Sequence, residues 1–522
     1  MKRGSGRNAL LVGAGILASR VIGFVRERVF AHYLGNSAAA DAFKAALRIP
    51  NLLQNLFGEG ALSASFIPVY ARLLAGGDRA GEEEARRVAR AVGTALAAGV
   101  SLFVLVGMLA TPLLIDLIAP GFEGEKRDWT IRMVRVLFPG VGLLVMSAWC
   151  LGILNSHRRF FLPYAAPVVW NGAMIAALFL YGRTHSGYPL ALLLAFAASA
   201  GSALQLAIQL PAVRSLAGRL HPQWDLTSRH VRSVLRNFGP SVGSRGVAQV
   251  SAYVDTMLAS FLPTGAVAAL AYAQTLYLLP VSLFGMSVSA AELPEMASGT
   301  GTPEEIATNL QARLSAAARR VAFFVVPSAV AFLALGDVVV AALYQTGRFT
   351  RADVLYVWAV VAGSSVGLLA QTLARLYSSA FWALHDTRTP LKFAVWRVLQ
   401  ATLVGWYLAF QAPRLLGLEP RWGLAGLTIS AGLAGWAELL LLRHAMNARV
   451  GRSGVPASLL ARLWGAALFA AAAGYGLKLW LGTGHPMVLG ALVLGTYGVL
   501  YVGLTLVLGV AEARAVLARL RR

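Results

Sequence analysis

Long apolar stretches separated by short polar ones run along almost the whole of this chain. "GTALAAGVSLFVLVGMLATPLLIDLIA", "YPLALLLAFAASAGSALQLAIQL" and "MVLGALVLGTYGVLYVGLTLVLGV" each pass the roughly 20 apolar residues that carry a helix across a bilayer. Hydropathy predicts about fourteen such helices, over 9–34, 40–73, 89–118, 130–155, 161–182, 188–213, 232–261, 266–291, 319–346, 353–383, 390–411, 422–446, 456–481 and 487–511. The expected fold class is an all-α polytopic membrane protein.

Composition agrees with that solvent. The chain is 57% hydrophobic and only 13% charged, with mean hydropathy +0.64, far from an ordinary globular domain. The net charge of +23 would suit nucleic acid if it formed one patch. It does not. Arg72, Arg79, Arg86, Arg87 and Arg90 fill one loop, "HRR" (157–159) another, and Arg214, Arg219, Arg229, Arg232 and Arg236 a third. Arg388, Lys392, Arg443, Arg449, Arg452 and the tail continue the series, while the alternate loops are poor in base. Positive charge held on one side places both termini in the cytoplasm of a bacterial inner membrane and offers contacts to anionic lipids. Lys2, Arg3 and Arg7 precede the first apolar run with no small-residue cleavage site after it, which reads as a retained first span. The single cysteine, Cys150, has no partner for an intrachain disulfide.

An internal repeat organises the spans. "RIPNLLQNLFGEGALSASFIPVYA" (48–71) is echoed by "YLLPVSLFGMSVSAAELPEMA" (277–297), and "LNSHRRFFLPYAAPVVW" (154–170) by "WALHDTRTPLKFAVW" (382–396). The expectation is two six-helix lobes, 1–220 and 221–450, around a central cavity, followed by two extra helices in 451–522.

The charges inside apolar spans are the candidate chemistry. Arg20, Arg26, Glu27 and Arg28 sit in the first span, with Ser19 and Arg26 on one face and Arg20 and Glu27 on the next. An arginine in mid-membrane costs about 2.5–3.5 kcal/mol on insertion scales, so Arg20 calls for a wet cavity or a partner. Asp41, Lys44 and Arg48 form a stripe on the second helix, either a self-neutralising ladder or a polar wall, ahead of Pro50. Arg245, Gln249 and Asp255 mark the seventh helix, and Asp386 in "HDTRTP" reads as a helix cap. "EEE" (82–84) reads as a solvated loop. No G-x-x-x-x-G-K-[ST] loop, H-E-x-x-H or Cys/His metal spacing is present. An arginine excess over carboxylate favours an anionic substrate, phosphate above all.

"SRVIGFVRERVFAHYLGNSAAADAF", "RIPNLLQNLFGEGALSASFIPVYA", "LNSHRRFFLPYAAPVVWN", "LYQTGRFTRADV" and "FWALHDTRTP" closely resemble the MurJ (MviN) family, lipid II flippases of the MOP exporter superfamily. The resemblance implies a transporter, not an enzyme, moving undecaprenyl-pyrophosphate-linked disaccharide pentapeptide between leaflets by alternating access. It implies substrate-binding roles for Arg20 and Arg26, for Asp41 and for Asn171 in the fifth helix. Gln54 and Thr275 stand where members of the family often carry arginine, and Arg245 and Arg48 are expected to supply that charge instead. No metal or organic cofactor is expected. The drive is the membrane potential or a monovalent cation, with Asp255 the candidate ligand, and the chain is expected to work as a monomer. The competing readings are a flippase for another polyprenyl-linked oligosaccharide, a multidrug exporter of the same fold, and a membrane glycosyl- or phosphotransferase.

Overall fold

The computed structural model describes the backbone of residues 3–57, 62, 65–76, 78–225, 227–297, 302–482 and 484–520. Within these, the side chains of 3–12, 50, 53, 55, 57, 239–252, 290, 291, 293, 294, 297, 303, 517, 519 and 520 fall outside the description. The described residues are helical almost throughout and contain no strand. They form two compact units, Met1–Ala268 with Thr346–Arg348, and Ala269–Gln345 with Phe349–Arg522.

The first unit contains α1 (Arg3–Leu34), α2 (Ala38–Phe57), α3 (Ile67–Ala75), α4 (Arg79–Leu109), α5 (Thr111–Ile118), α6 (Gly124–Ser156), α7 (Phe161–Tyr181), α8 (Gly187–Ala217) and α9 (Arg229–Ser260). Its hub is α6, which packs on α2, α4 and α8. Of the apolar window of α6, 72% is buried in protein, against 22% for α4. Both are strongly apolar, so α4 keeps its greasy face for lipid, and Leu102, Leu105, Val106 and Leu109 line the outside. At one end of the unit, Phe66, Tyr70, Val88, Val92, Trp149 and Ile153 close a shared core. The Asp78 carboxylate accepts from the Gly81 N–H at 3.0 Å and starts α4. Glu82 and Glu83 lie within 3.8 Å of Arg86, and Glu83 also reaches Arg90. The acidic run is therefore a salt ladder on an exposed turn.

The second unit contains α10 (Ala266–Ser289, whose first three residues belong to the first unit), α11 (Glu304–Ala334), α12 (Gly336–Tyr344), α13 (Arg351–Ser365), α14 (Leu368–Ala383), α15 (Arg388–Leu415), α16 (Pro420–Val450), α17 (Ala457–Leu481), α18 (Pro486–Val507) and α19 (Ala511–Leu520). Helices α13, α14 and α15 all pack on α16. A bend of 42° separates α13 from α14. At that break a Cβ on Gly367 would lie 2.3 Å from the Gly432 Cα, so the two backbones touch and only glycine fits. The Trp436 indole donates to the Val366 carbonyl at 2.8 Å, satisfying an acceptor at the break.

Proline explains how the last helices dock. Pro327 lies inside α11 and has no N–H, so the Phe323 carbonyl one turn earlier loses its helical donor. The Tyr501 hydroxyl of α18 donates to that carbonyl at 2.6 Å, and the Tyr497 hydroxyl donates to the Pro327 carbonyl at 2.7 Å. Lys478 of α17 and Arg351 of α13 both hold the Asp337 carboxylate of α12 at 2.7 Å.

Ten helices among the described residues are long and apolar enough to span, or eleven with α13 and α14 taken as one. The expected spans 9–34, 40–73 and 232–261 each run through residues outside the description, so the number fourteen is not established. The second sequence repeat shares one backbone feature. Arg158 and His385 occupy the same place in the two copies of the second repeat, and both have φ of 58°. Asp116 takes a two-pronged grip from Arg127 at 2.7 and 3.0 Å.

Candidate functional site

Three helices of the first unit, α1, α2 and α7, bring together the charges that interrupt the first apolar runs of the sequence. Glu27 on α1 is nearly buried and binds two cations. Its Oε1 accepts from Arg26 Nη2 at 2.6 Å, and its Oε2 is held by Lys44 Nζ from α2. Arg26 is half-buried, and its guanidinium lies 5.1 Å above the ring centre of Trp170 on α7. The Lys44 ammonium sits 4.3 Å from the centre of the Phe30 ring. Two positive groups thus share the carboxylate of Glu27.

Asn171 stands next to Trp170. Its Nδ2 donates back to the Pro167 carbonyl at 2.8 Å, while its Oδ1 is buried without a hydrogen-bond partner among the described residues. A Cβ on Gly23 of α1 would come within 3.9 Å of that oxygen. A buried acceptor left open costs about 1–3 kcal/mol unless something donates to it. It suits a hydroxyl or amide of a bound molecule.

Asp41 is fully buried and does a different job. Lys126 Nζ of α6 reaches its Oδ2 at 2.6 Å, and the backbone N–H groups of Gly265 and Ala268 donate to its two oxygens at 2.7 Å. The carboxylate caps the start of α10 and ties α2 to α6. The ladder reading of Asp41, Lys44 and Arg48 is thereby overturned. Spacing made these residues neighbours, but Asp41 pairs with Lys126 and Lys44 with Glu27.

Arg20 lies on an exposed stretch of α1 with Leu17 and Val21, about 9 Å along the axis from Arg26 and about 120° around it. Arg48 is half-buried and lies in the electrostatic field of Asp255 on α9, and the Tyr253 hydroxyl donates to the Arg48 carbonyl at 3.0 Å. The side chains of Arg245, Gln249 and Pro50 lie outside the described residues. Gln54 is half-buried on α2, and the Thr275 hydroxyl turns back to the Ala271 carbonyl at 3.0 Å. The C-terminal end of α1 is pinned by 346–348, with His32 Nδ1 2.8 Å from Thr346 Oγ1 and the Arg348 N–H donating to the His32 carbonyl at 2.9 Å.

Sequence reasoning missed Lys126 and Trp170. Both are distant in sequence from their partners, and neither breaks an apolar run. A separate cavity of about 270 Å³ in this unit is walled by apolar side chains such as Leu96, Val100, Phe103, Val145 and Phe238 and has nothing to grip a charged headgroup. Among the described residues no three His, Cys, Asp or Glu side chains are grouped to hold a metal ion.

The comparisons with known proteins point one way. The family described as "Lipid II flippase MurJ" matches residues 30–495. The chain is 32% identical over 440 residues to a probable lipid II flippase MurJ of Rhizobium tropici, covering 83% of this chain and 79% of that one. It is 31% identical over 443 residues to lipid II flippase MurJ of Burkholderia cenocepacia, covering 84% and 82%. A solved lipid II flippase MurJ in an inward closed conformation superposes with a TM-score of 0.76 at 22% identity, over 96% of this chain and 98% of that one. An inward-facing multidrug-resistance MATE transporter of the MOP superfamily follows at 0.62 and 16% identity, over 82% and 95%. The last two show the fold. With a family match over most of its length, the chain belongs to the lipid II flippase MurJ family.

Proposed function

We propose that this chain carries lipid II from the cytoplasmic to the outer leaflet of the bacterial inner membrane by alternating access, and that the cluster around Glu27 receives the diphosphate. The supporting observation is the imbalance in that cluster: Arg26 and Lys44 share one carboxylate beside the open Asn171 oxygen. A guanidinium on a diphosphate forms paired, charge-assisted hydrogen bonds. The amide oxygen then takes a donor from the sugar or peptide. The polyprenyl chain stays in lipid throughout.

Arg48 lies in the field of Lys44 and adds positive charge there, Arg20 and Arg245 are the further substrate-binding candidates, and Asp41 holds the helices in register. Anionic lipids gather at the basic loops, both termini stay in the cytoplasm, and a single chain does the work. The membrane potential supplies about 2.3 kcal/mol per charge per 100 mV. A monovalent cation at Asp255 would have to compete with Arg48. A drug exporter for cations needs an acid-dominated site, and this one is basic.

Depletion of the resident flippase in a bacterium carrying this gene, coupled to a leaflet assay for labelled lipid II, tests the reading. Growth with outer-leaflet lipid II is expected from the parent chain. Growth arrest with lipid II held in the inner leaflet overturns it.

A further inference from the structure

A second set of intramembrane charges lies in the second unit, and the site described above does not use it. Helix α14 is buried on nearly every side. Its exposed or half-exposed positions up to Trp382 are Gln371, Arg375, Ser378 and Trp382, at spacings of four, three and four that trace one narrow stripe. A lipid-facing stripe is apolar, as on neighbouring α15, where Leu391, Val395, Leu399, Leu403 and Trp406 are exposed. A stripe of Gln, Arg and Ser in a spanning helix faces water instead.

Arg375 is the charge in that stripe, about 12 Å from the inner end of α14 at Ala383. It is exposed, and its guanidinium makes no hydrogen bond or ion pair with the described residues. Arg397 of α15, about 14 Å from the start of its helix, donates from Nε to Glu438 Oε2 of α16 at 3.0 Å, and Glu438 is nearly buried. Glu438 and Tyr277 of α10 both feel the positive charges of Arg375 and Arg397. The Tyr277 hydroxyl donates to Gln371 Oε1 at 2.7 Å, and Gln371 Nε2 donates to the Ala431 carbonyl at 3.3 Å. These bonds orient the first residue of the stripe. Gly435 allows the close approach, since a Cβ there would meet Gln371 Cγ at 2.7 Å.

Two guanidinium groups against one carboxylate leave an excess positive charge at mid-membrane depth, with one guanidinium exposed on a wet face. We infer that Arg375, backed by Arg397 and oriented alongside Gln371 and Tyr277, is an anion-binding site for the phosphate or diphosphate headgroup of a lipid. The headgroup can come from a polyprenyl diphosphate cargo, which rests on the flippase reading, or from an anionic phospholipid of the bilayer. Guanidinium chemistry serves both. The neighbouring Glu438 sets the strength of the site by cancelling part of its charge.

Full-length protein in lipid nanodiscs tests this with two probes, undecaprenyl diphosphate and phosphatidylglycerol, titrated against the parent, Arg375→Gln and Glu438→Gln. Arg375→Gln is expected to weaken binding of at least one probe about tenfold or more, the loss of a charged hydrogen-bonding group. Glu438→Gln, which removes the opposing charge and keeps the shape, is expected not to weaken that probe. Misfolding would lower both variants together, so this opposition separates a site from a structural fault. The probe affected identifies the source of the headgroup. Any other pattern overturns the inference. A parent that ignores undecaprenyl diphosphate while Arg375→Gln lowers phosphatidylglycerol binding counts against the flippase reading and leaves this site standing.

Discussion

Glu27 holds the Arg26 guanidinium and the Lys44 ammonium with its two oxygens, and its removal leaves a half-buried and a buried cation without their shared carboxylate. Glu27→Gln is expected to cost about 3–5 kcal/mol, the range for breaking a buried pair by deleting one member. Thermal unfolding in detergent checks this, with a clear fall in midpoint relative to the parent. The positions of these charges were legible in the sequence, because an Arg, Glu or Lys within an apolar run has few reasons to be there. Their partners were not. Asp41 finds Lys126 at a separation of 85 residues and the backbone of 265–268 farther still, and helical spacing carries no information about such contacts. Asp386 was legible as a cap because its partners are local: the Arg388 and Thr389 N–H groups both donate to it at 3.0 Å. The Thr389 backbone and hydroxyl, with Arg449, hold its carboxyl down at about 2. A depressed carboxyl pKa stabilises fully above the unfolded value of about 3.9 and ceases to do so as pH falls through about 2. The midpoint drop between about pH 4 and pH 2 should therefore be smaller in Asp386→Asn than in the parent, measured by unfolding at each pH.

Among the helices, the proline in α11 and the tyrosine in α18 act as one device. Pro327 frees the Phe323 carbonyl and the Tyr501 hydroxyl takes it at 2.6 Å. Tyr501→Phe leaves that buried acceptor open at a cost of about 1–3 kcal/mol. The expected outcome is faster hydrogen exchange or proteolysis in α17 and α18 before the rest of the second unit, read by mass spectrometry. Hydropathy located α17 and α18 to within a few residues, since length and apolarity alone decide whether a segment suits a bilayer, but its expected span 319–346 runs across the break between α11 and α12. It could not see the 42° bend between α13 and α14. That bend depends on the contact of Gly367 with Gly432, two glycines unremarkable among 53 in the chain.

Across the chain, the sequence repeat makes an expectation about orientation. Arg158 and His385 share a left-handed conformation at matching positions, and six expected spans lie between them. An even number returns the chain to the same side. Cysteines introduced as Arg159→Cys and Thr387→Cys, both at exposed positions, should react with an impermeant maleimide from the cytoplasmic side and from no other. Buried Cys150 adds no background. Fold and family are the parts that sequence carried furthest, because both are written in long apolar runs and motifs. The site was legible only as a set of charges. The central claim is that a positively biased cluster inside the membrane receives a diphosphate and passes it across. Transbilayer movement of fluorescent lipid II in proteoliposomes, for the parent and for Arg26→Ala at matched incorporation, addresses it most directly. The account predicts movement by the parent and its loss in Arg26→Ala with folding intact. Equal movement by both, or none by a folded parent under an imposed potential, contradicts it.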